Sequence, residues 1–263
     1  MRTILEHLLL LATMLILTTS TQAGENDDVQ DMSDPLAVYT QLGLGYTDKG
    51  LNLKAGQSYD SGKEATMAMN IIEIKGFFGG TLGWRDTADD SIDSFRFRNF
   101  RVDMTDGRGT QIDVTWDRDS ESGAASYALI QALPPFSLFN LYPLAGLGLA
   151  YANNVDEHLL WGDESSPSGL SIPGAFWMAG MYAKIKITEK IWLNYNPVFL
   201  QTMIGSTGYT ENAYGFGEKW VYTHEAAISY QINPRMNVRY FANWTTELEY
   251  ADGDHRIEVN YQF

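Results

Sequence analysis

The side chains able to do chemistry in this 263-residue chain are four histidines, several clusters of acids, and a set of arginines spread along alternating segments. A histidine and a serine two residues apart on one face of a strand make a base and its nucleophile. His224 is placed for that role, but the matching position is Ala226, so the dyad is absent. His255 falls at the end of another alternating segment, and His158 sits beside Asp156 and Glu157. One imidazole among scattered acids is a thin ligand set for a divalent cation, and any metal stays unknown at this stage. A serine elsewhere acting with His158 or His255 stays open, although catalysis is not the favoured expectation. No glycine-rich loop joins a strand to a helix, so nucleotide binding has no support, and no cofactor is expected.

The elements that must position these groups are strands. Met236, Val238, Tyr240, Ala242 and Trp244 form one apolar face, while Asn237, Arg239, Phe241 and Asn243 form a mostly polar one. The chain ends with Ile257, Val259, Tyr261 and Phe263 in the same alternation. Further strands are predicted near 94–104, 110–117, 124–133, 141–151, 175–187, 191–204, 221–231, 235–245 and 255–263. Before them, Leu36–Tyr46 alternates, with Leu36, Val38, Thr40, Leu42 and Leu44 expected outward and Tyr39, Gln41, Gly43 and Gly45 inward. The region 51–84 holds three further pieces, 51–59, 65–75 and 77–84, of which two are expected to merge.

The N-terminus opens Met1-Arg2, runs apolar from Leu8 to Leu17, and reaches a small-residue site at Thr21-Gln22-Ala23. That pattern predicts a secretory signal peptide over 1–23, too short to span a bilayer as a helix. Residues 24–35 are acidic and unpatterned and read as a mobile periplasmic lead, leaving 36–263 as the folded unit. There is no cysteine, so no disulfide holds the chain. The formal net charge of −15 argues against a nucleic-acid partner.

The terminal hairpin, its final aromatic and the short-turn, long-loop asymmetry resemble Gram-negative outer-membrane β-barrel proteins of the porin-like class. The resemblance implies an all-β, antiparallel transmembrane barrel, with twelve strands expected and ten or fourteen also open. It also implies residence in the cell outer membrane among lipid and lipopolysaccharide. Trp84, Trp116, Tyr151, Trp177 and Trp244 then mark the outer aromatic girdle, and Tyr142, Tyr230 and Phe263 the inner one.

In such a barrel the polar faces turn to the lumen. The expected pore-lining residues are Arg96, Arg98, Arg101, Asp103, Asp113, Lys184, Lys186, Glu225, Arg239, Arg256 and Glu258. Arg96 and Arg98 reach that face if a bulge near Asn99 corrects the parity. A three-residue loop at Asp106–Arg108 would pair Val102 with Ile112 and Arg101 with Asp113. A loop at Ile232–Pro234 would pair Ile228 with Val238 and set Arg239 diagonal to Glu225. Inward glycines, Gly43, Gly45, Gly146, Gly148 and Gly180, are expected to thin the wall. The favoured function is a narrow passive channel for small hydrophilic solutes. A closed structural or adhesive barrel with acidic surface loops, or a lipid-modifying enzyme, are the alternatives. The oligomeric state is not legible.

Overall fold

The protein is described from a computed structural model covering residues 29–84, 89–153 and 169–263. The predicted signal peptide, most of the acidic lead and the segment carrying Asp156, Glu157 and His158 lie outside the described residues.

Among the described residues, thirteen strand segments make one closed antiparallel sheet. They are β1 (Gln41–Thr47), β2 (Gly50–Asp60), β3 (Thr66–Phe77), β4 (Ser94–Asp103), β5 (Arg108–Asp117), β6 (Ser122–Gln131) and β7 (Phe139–Asn153). β8 (Leu170–Lys186), β9 (Ile191–Tyr195), β10 (Val198–Gly205), β11 (Trp220–Asn233), β12 (Met236–Thr245) and β13 (Asp254–Gln262) follow. β9 and β10 are the two halves of one strand, since both pair with β8 on one side and β11 on the other. Asn196 and Pro197 interrupt it, because proline has no N–H to give the ladder. Its carbonyl still accepts from the Met181 amide at 3.0 Å. The barrel therefore has twelve strands. β13 closes it on β1, with Val259 opposite Leu44 and Gln262 opposite Gln41.

Which face is covered decides between a membrane barrel and a soluble sandwich. Along β13, Ile257 is 57% exposed while Glu258, Asn260 and Gln262 are almost fully buried. Leu44, Ile72, Leu129 and Leu147 are exposed on other strands in the same way. Apolar side chains outside and polar ones inside is the reverse of a water-soluble core, and it marks the outer surface as lipid-facing. An aromatic band runs around one rim, where His224 stacks on Trp244 at 4.8 Å and Phe199 lies between Trp177 and Trp220.

The structure corrects several expectations. Three strands do precede Ser94, but through no merger: the piece 77–84 folds into a helical turn, Gly79–Leu82, entered through a left-handed Phe78. β1 begins only at Gln41. Leu36 and Val38, expected to face outward, lie inside the barrel and pack with Met69, Ile71, Phe100, Val102, Ile130 and Leu144. Tyr142 joins this interior cluster and is not part of the inner girdle. From Gln30 onward the stretch expected to run as a free lead is tied inward, with Gln30 and Gln262 exchanging two hydrogen bonds of 3.1 and 2.9 Å.

Two registers also differ. In β4–β5 the ladder runs to Asp103 opposite Arg108, pairing Val102 with Gly109 and Arg98 with Asp113. The four-residue turn 104–107 is fixed by Asp103 Oδ1, which accepts from the Thr105 amide at 2.9 Å, and by Gly107 at φ 67°. No bulge intervenes, so Arg96, Arg98, Phe100 and Val102 share the inner face and Arg101 turns outward. The apolar N-terminal stretch entering the barrel is what makes Phe100 and Val102 inward residues. In β11–β12, Tyr230 pairs with Val238 and Ser229 with Arg239, two residues from the predicted register but with the same faces.

If Val259 faces hydrocarbon near mid-membrane, Val259→Arg should destabilise the folded barrel by about 2–4 kcal/mol. Reversible urea unfolding in phosphatidylcholine vesicles measures this. An unchanged midpoint would mean that this face does not meet lipid.

Candidate functional site

Inside the barrel lies a cavity of about 620 Å³ with charged walls and a floor made by the N-terminal segment. One wall belongs to β3, β4 and β5. Glu73 stands between Ile72 and Ile74, so strand alternation sends it inward as they point to lipid. Arg98 donates to its carboxylate. Arg96 makes a two-pronged pair with Asp113, at 2.9 Å from Nε and 2.5 Å from the terminal nitrogen. Gln111 adds a bond to Asp113 at 3.2 Å and accepts from the Tyr182 hydroxyl at 2.7 Å.

The opposite wall belongs to β1, β2 and β9 to β13. Glu258 bridges Lys54 at 2.6 Å and Arg256 at 3.1 Å. The Phe241 ring lies against two guanidinium groups, Arg239 at 4.9 Å and Arg256 at 4.4 Å. Arg239 is held by Ser229 Oγ at 2.9 Å and Asn194 Oδ1 at 2.5 Å. Glu225 accepts from the Asn196 amide nitrogen at 2.8 Å. The expected proximity of Arg239 and Glu225 through one diagonal gives way to separate anchoring, because Ser229 takes the place opposite Arg239.

The glycines act differently from the expectation of a thinned, open wall. A β-carbon at Gly45 would meet Arg256 Cδ at 2.7 Å, and one at Gly43 would meet Lys54 Cε at 3.0 Å. These positions are vacant of side chain so that the stem of Lys54 can cross β1 to Glu258 and the stem of Arg256 can lie over β1 beside it.

The floor is built by Asp31 to Tyr39. Asp31 pairs with Lys184 at 2.6 Å, and the Ser33 carbonyl accepts from Asn194 at 3.2 Å. Met32 is buried against Gln231 and Asn237. Partial burial works against the Asp31 carboxylate, but its bonds to Lys184 and Ser33 outweigh that and hold it below the usual aspartate range.

Of the predicted lining residues, Arg96, Arg98, Asp113, Glu225, Arg239 and Arg256 face this cavity. Glu258 lies just behind it in its ion pairs, and Lys184 belongs to the floor. Three predictions are corrected. Arg101 is exposed on the outer surface, Asp103 caps the 104–107 turn, and Lys186 sits on the rim paired with Glu189 at 2.7 Å. Lys54, Glu73 and Lys75 were missed. A charge flanked by Leu53 and Ala55, or by Ile72 and Ile74, was a readable signal in a region where irregular spacing hid it.

The two described histidines have structural partners. His224 Nδ1 bonds the Tyr195 hydroxyl at 2.7 Å, and His255 bonds Tyr240 and the Tyr250 carbonyl, both at 2.7 Å. Among the described residues no group of three side chains is placed to hold a metal ion.

No family model and no curated protein matches the chain. Among solved structures it is similar to the NanC porin, at 7% identity and TM-score 0.49, covering 86% of this chain and 99% of that one. It is also similar to an outer-membrane channel from Pseudomonas putida F1, at 8% identity and TM-score 0.49, over 91% and 98%. The KdgM porin, solved with disordered oligogalacturonate, gives 7% identity and TM-score 0.47, over 86% and 99%.

Removing one partner of a buried pair strands the other charge, which costs about 3–5 kcal/mol, whereas removing both costs far less. Arg98→Met should therefore destabilise the barrel strongly, and adding Glu73→Gln should restore most of the loss. Urea midpoints of the two singles and the double test this, and simple additivity would contradict the pairing.

Proposed function

We propose that the protein is a passive outer-membrane channel for small hydrophilic solutes. The observation that carries this reading is the cavity itself: a polar, charged lumen inside a barrel whose exterior is apolar. Charges kept inside such a wall must be paired or wet, and here both kinds of site occur. A strand count of twelve lies between barrels filled by their own side chains and those with wide aqueous channels. The NanC and KdgM likeness agrees with this reading without carrying it.

The two charged walls set up a lumen of mixed sign. Among the described cavity-lining residues, cations (Lys54, Lys75, Arg96, Arg98, Arg239 and Arg256) nearly balance acids (Asp34, Glu73, Asp113, Glu225 and Asp254), so strong selection by charge sign is not expected. The N-terminal segment narrows the periplasmic end, so flux depends on the Asp31–Lys184 and Ser33–Asn194 contacts. At the surface, acidic loops such as Asp89 to Asp93 are available to divalent cations shared with lipopolysaccharide phosphates.

Single-channel recording in planar bilayers tests the function. The full chain should give a small, steady conductance, and a variant lacking residues 30–38 a clearly larger one. Silence from both would overturn the channel reading. The tether also has a pH signature. A carboxylate held below its ordinary value stabilises the contact above that value and loses it as pH falls through the lowered one. Conductance of the full chain should therefore hold steady near neutrality and rise at strongly acidic pH. Lys184→Gln should raise it already at neutral pH, and identical profiles for the two would place the restriction elsewhere.

A further inference from the structure

Most charges in the lumen are neutralised by a partner in the protein. Glu258 serves both Lys54 and Arg256, Asp113 serves Arg96, and Glu73 serves Arg98. Two stand apart. Arg239 has no carboxylate at ion-pair distance among the described residues; its bonds go to Ser229 and Asn194, both neutral. Glu225 has no cation at ion-pair distance there; its side-chain bond comes from Asn196, also neutral.

Neutral partners fix the position of a charged group without cancelling its charge. Arg239 is pinned at Nε and one terminal nitrogen and stacked over Phe241, so its remaining N–H groups are free to meet an anion. Glu225 keeps a second carboxylate oxygen for a donor. Beside it the Asn196 side-chain carbonyl is a buried acceptor with no protein partner. Both groups line the same cavity. A solute carrying one anionic and one cationic end satisfies both at once; a singly charged solute leaves the other buried charge to water alone.

We infer that Arg239 and Glu225, with Asn196, form a binding site for a zwitterionic solute of the amino-acid class. The solute's carboxylate rests on Arg239. Its ammonium group donates to Glu225 and Asn196 Oδ1. This deepens the channel reading by naming a solute class, and it rests on solute reaching the lumen, although not on passage through it.

Calorimetric titration of the full chain in detergent, at neutral pH and low salt, tests the site without any current. The probes are γ-aminobutyrate and 6-aminohexanoate, two lengths of zwitterion, each beside its singly charged relatives: butyrate and butylamine, hexanoate and hexylamine. At least one zwitterion should bind ten times tighter than both of its relatives. Arg239→Gln should reduce that zwitterion to the level of the amine, and Glu225→Gln to that of the carboxylate. A wild-type protein that binds each zwitterion no better than one of its relatives overturns the inference, and this comparison needs no variant to fold. A preference that survives both substitutions overturns the residue assignment. Binding without any bilayer current would sink the channel and keep the site. Current without zwitterion preference would sink the site and keep the channel.

Discussion

In hydrocarbon no water is present to take up an unpaired backbone N–H or carbonyl, and every one left open costs several kcal/mol. A sheet there must have no edges. That requirement explains why β13 returns to β1, and why the terminal residue is still used: the Phe263 amide donates to the Thr40 carbonyl at 3.0 Å. It also explains why the break at Asn196–Pro197 is tolerated only with substitutes. There Asn196 donates its backbone N–H to the Glu225 carbonyl at 2.8 Å, and the Pro197 carbonyl takes the Met181 amide. The ladder is repaired around a residue that cannot donate. The same repair projects the Asn196 side chain toward Glu225.

Closure then dictates polarity. Strand side chains alternate in and out, so an apolar exterior forces a separate set of residues into an enclosed interior. Enclosed charge is costly unless matched, and the observed pairs sit on neighbouring strands, Arg98 with Glu73 and Arg96 with Asp113, or reach across one, as Lys54 does over β1 to Glu258. These pairs restrain the wall as well as solvate it. Arg239 and Glu225 depart from the pattern, being positioned by amides and a hydroxyl. A fold with little freedom in its backbone keeps its chemical individuality in which inward charges are left without a counter-ion.

Much of this was legible from period-two alternation. The strands from Ser94 onward, the count of twelve and the inward sides of β11 to β13 follow from it, because one face is fixed by lipid and a one-residue slip would expose every polar group. Alternation says less about register. At β4–β5 the turn chemistry of Asp103 and Gly107 decides the pairing, and a shift of three residues moved Arg101 to the outside. Alternation failed outright where the lumen is apolar. Leu36 and Val38 read as lipid-facing because their partners, Phe100, Val102, Met69 and Ile71, are inward and apolar too, and nothing local distinguishes a greasy plug from a greasy exterior.

That plug also explains the shape of the lumen. A closed twelve-stranded sheet encloses more room than eight strands, whose side chains fill the interior. The extra room must hold water, solute or more of the chain. At one end the chain itself enters. Leu36 and Val38 bury apolar surface against inward apolar residues of β3 to β7, Met32 lies against Gln231 and Asn237, and Asp31 and Ser33 are fastened to Lys184 and Asn194. Further toward the outer rim, where the inward residues change from Phe100 and Val102 to Arg98 and Arg96, an apolar segment has nothing to bury against. The floor therefore stops at the level where the wall turns from apolar to charged, and the cavity begins there.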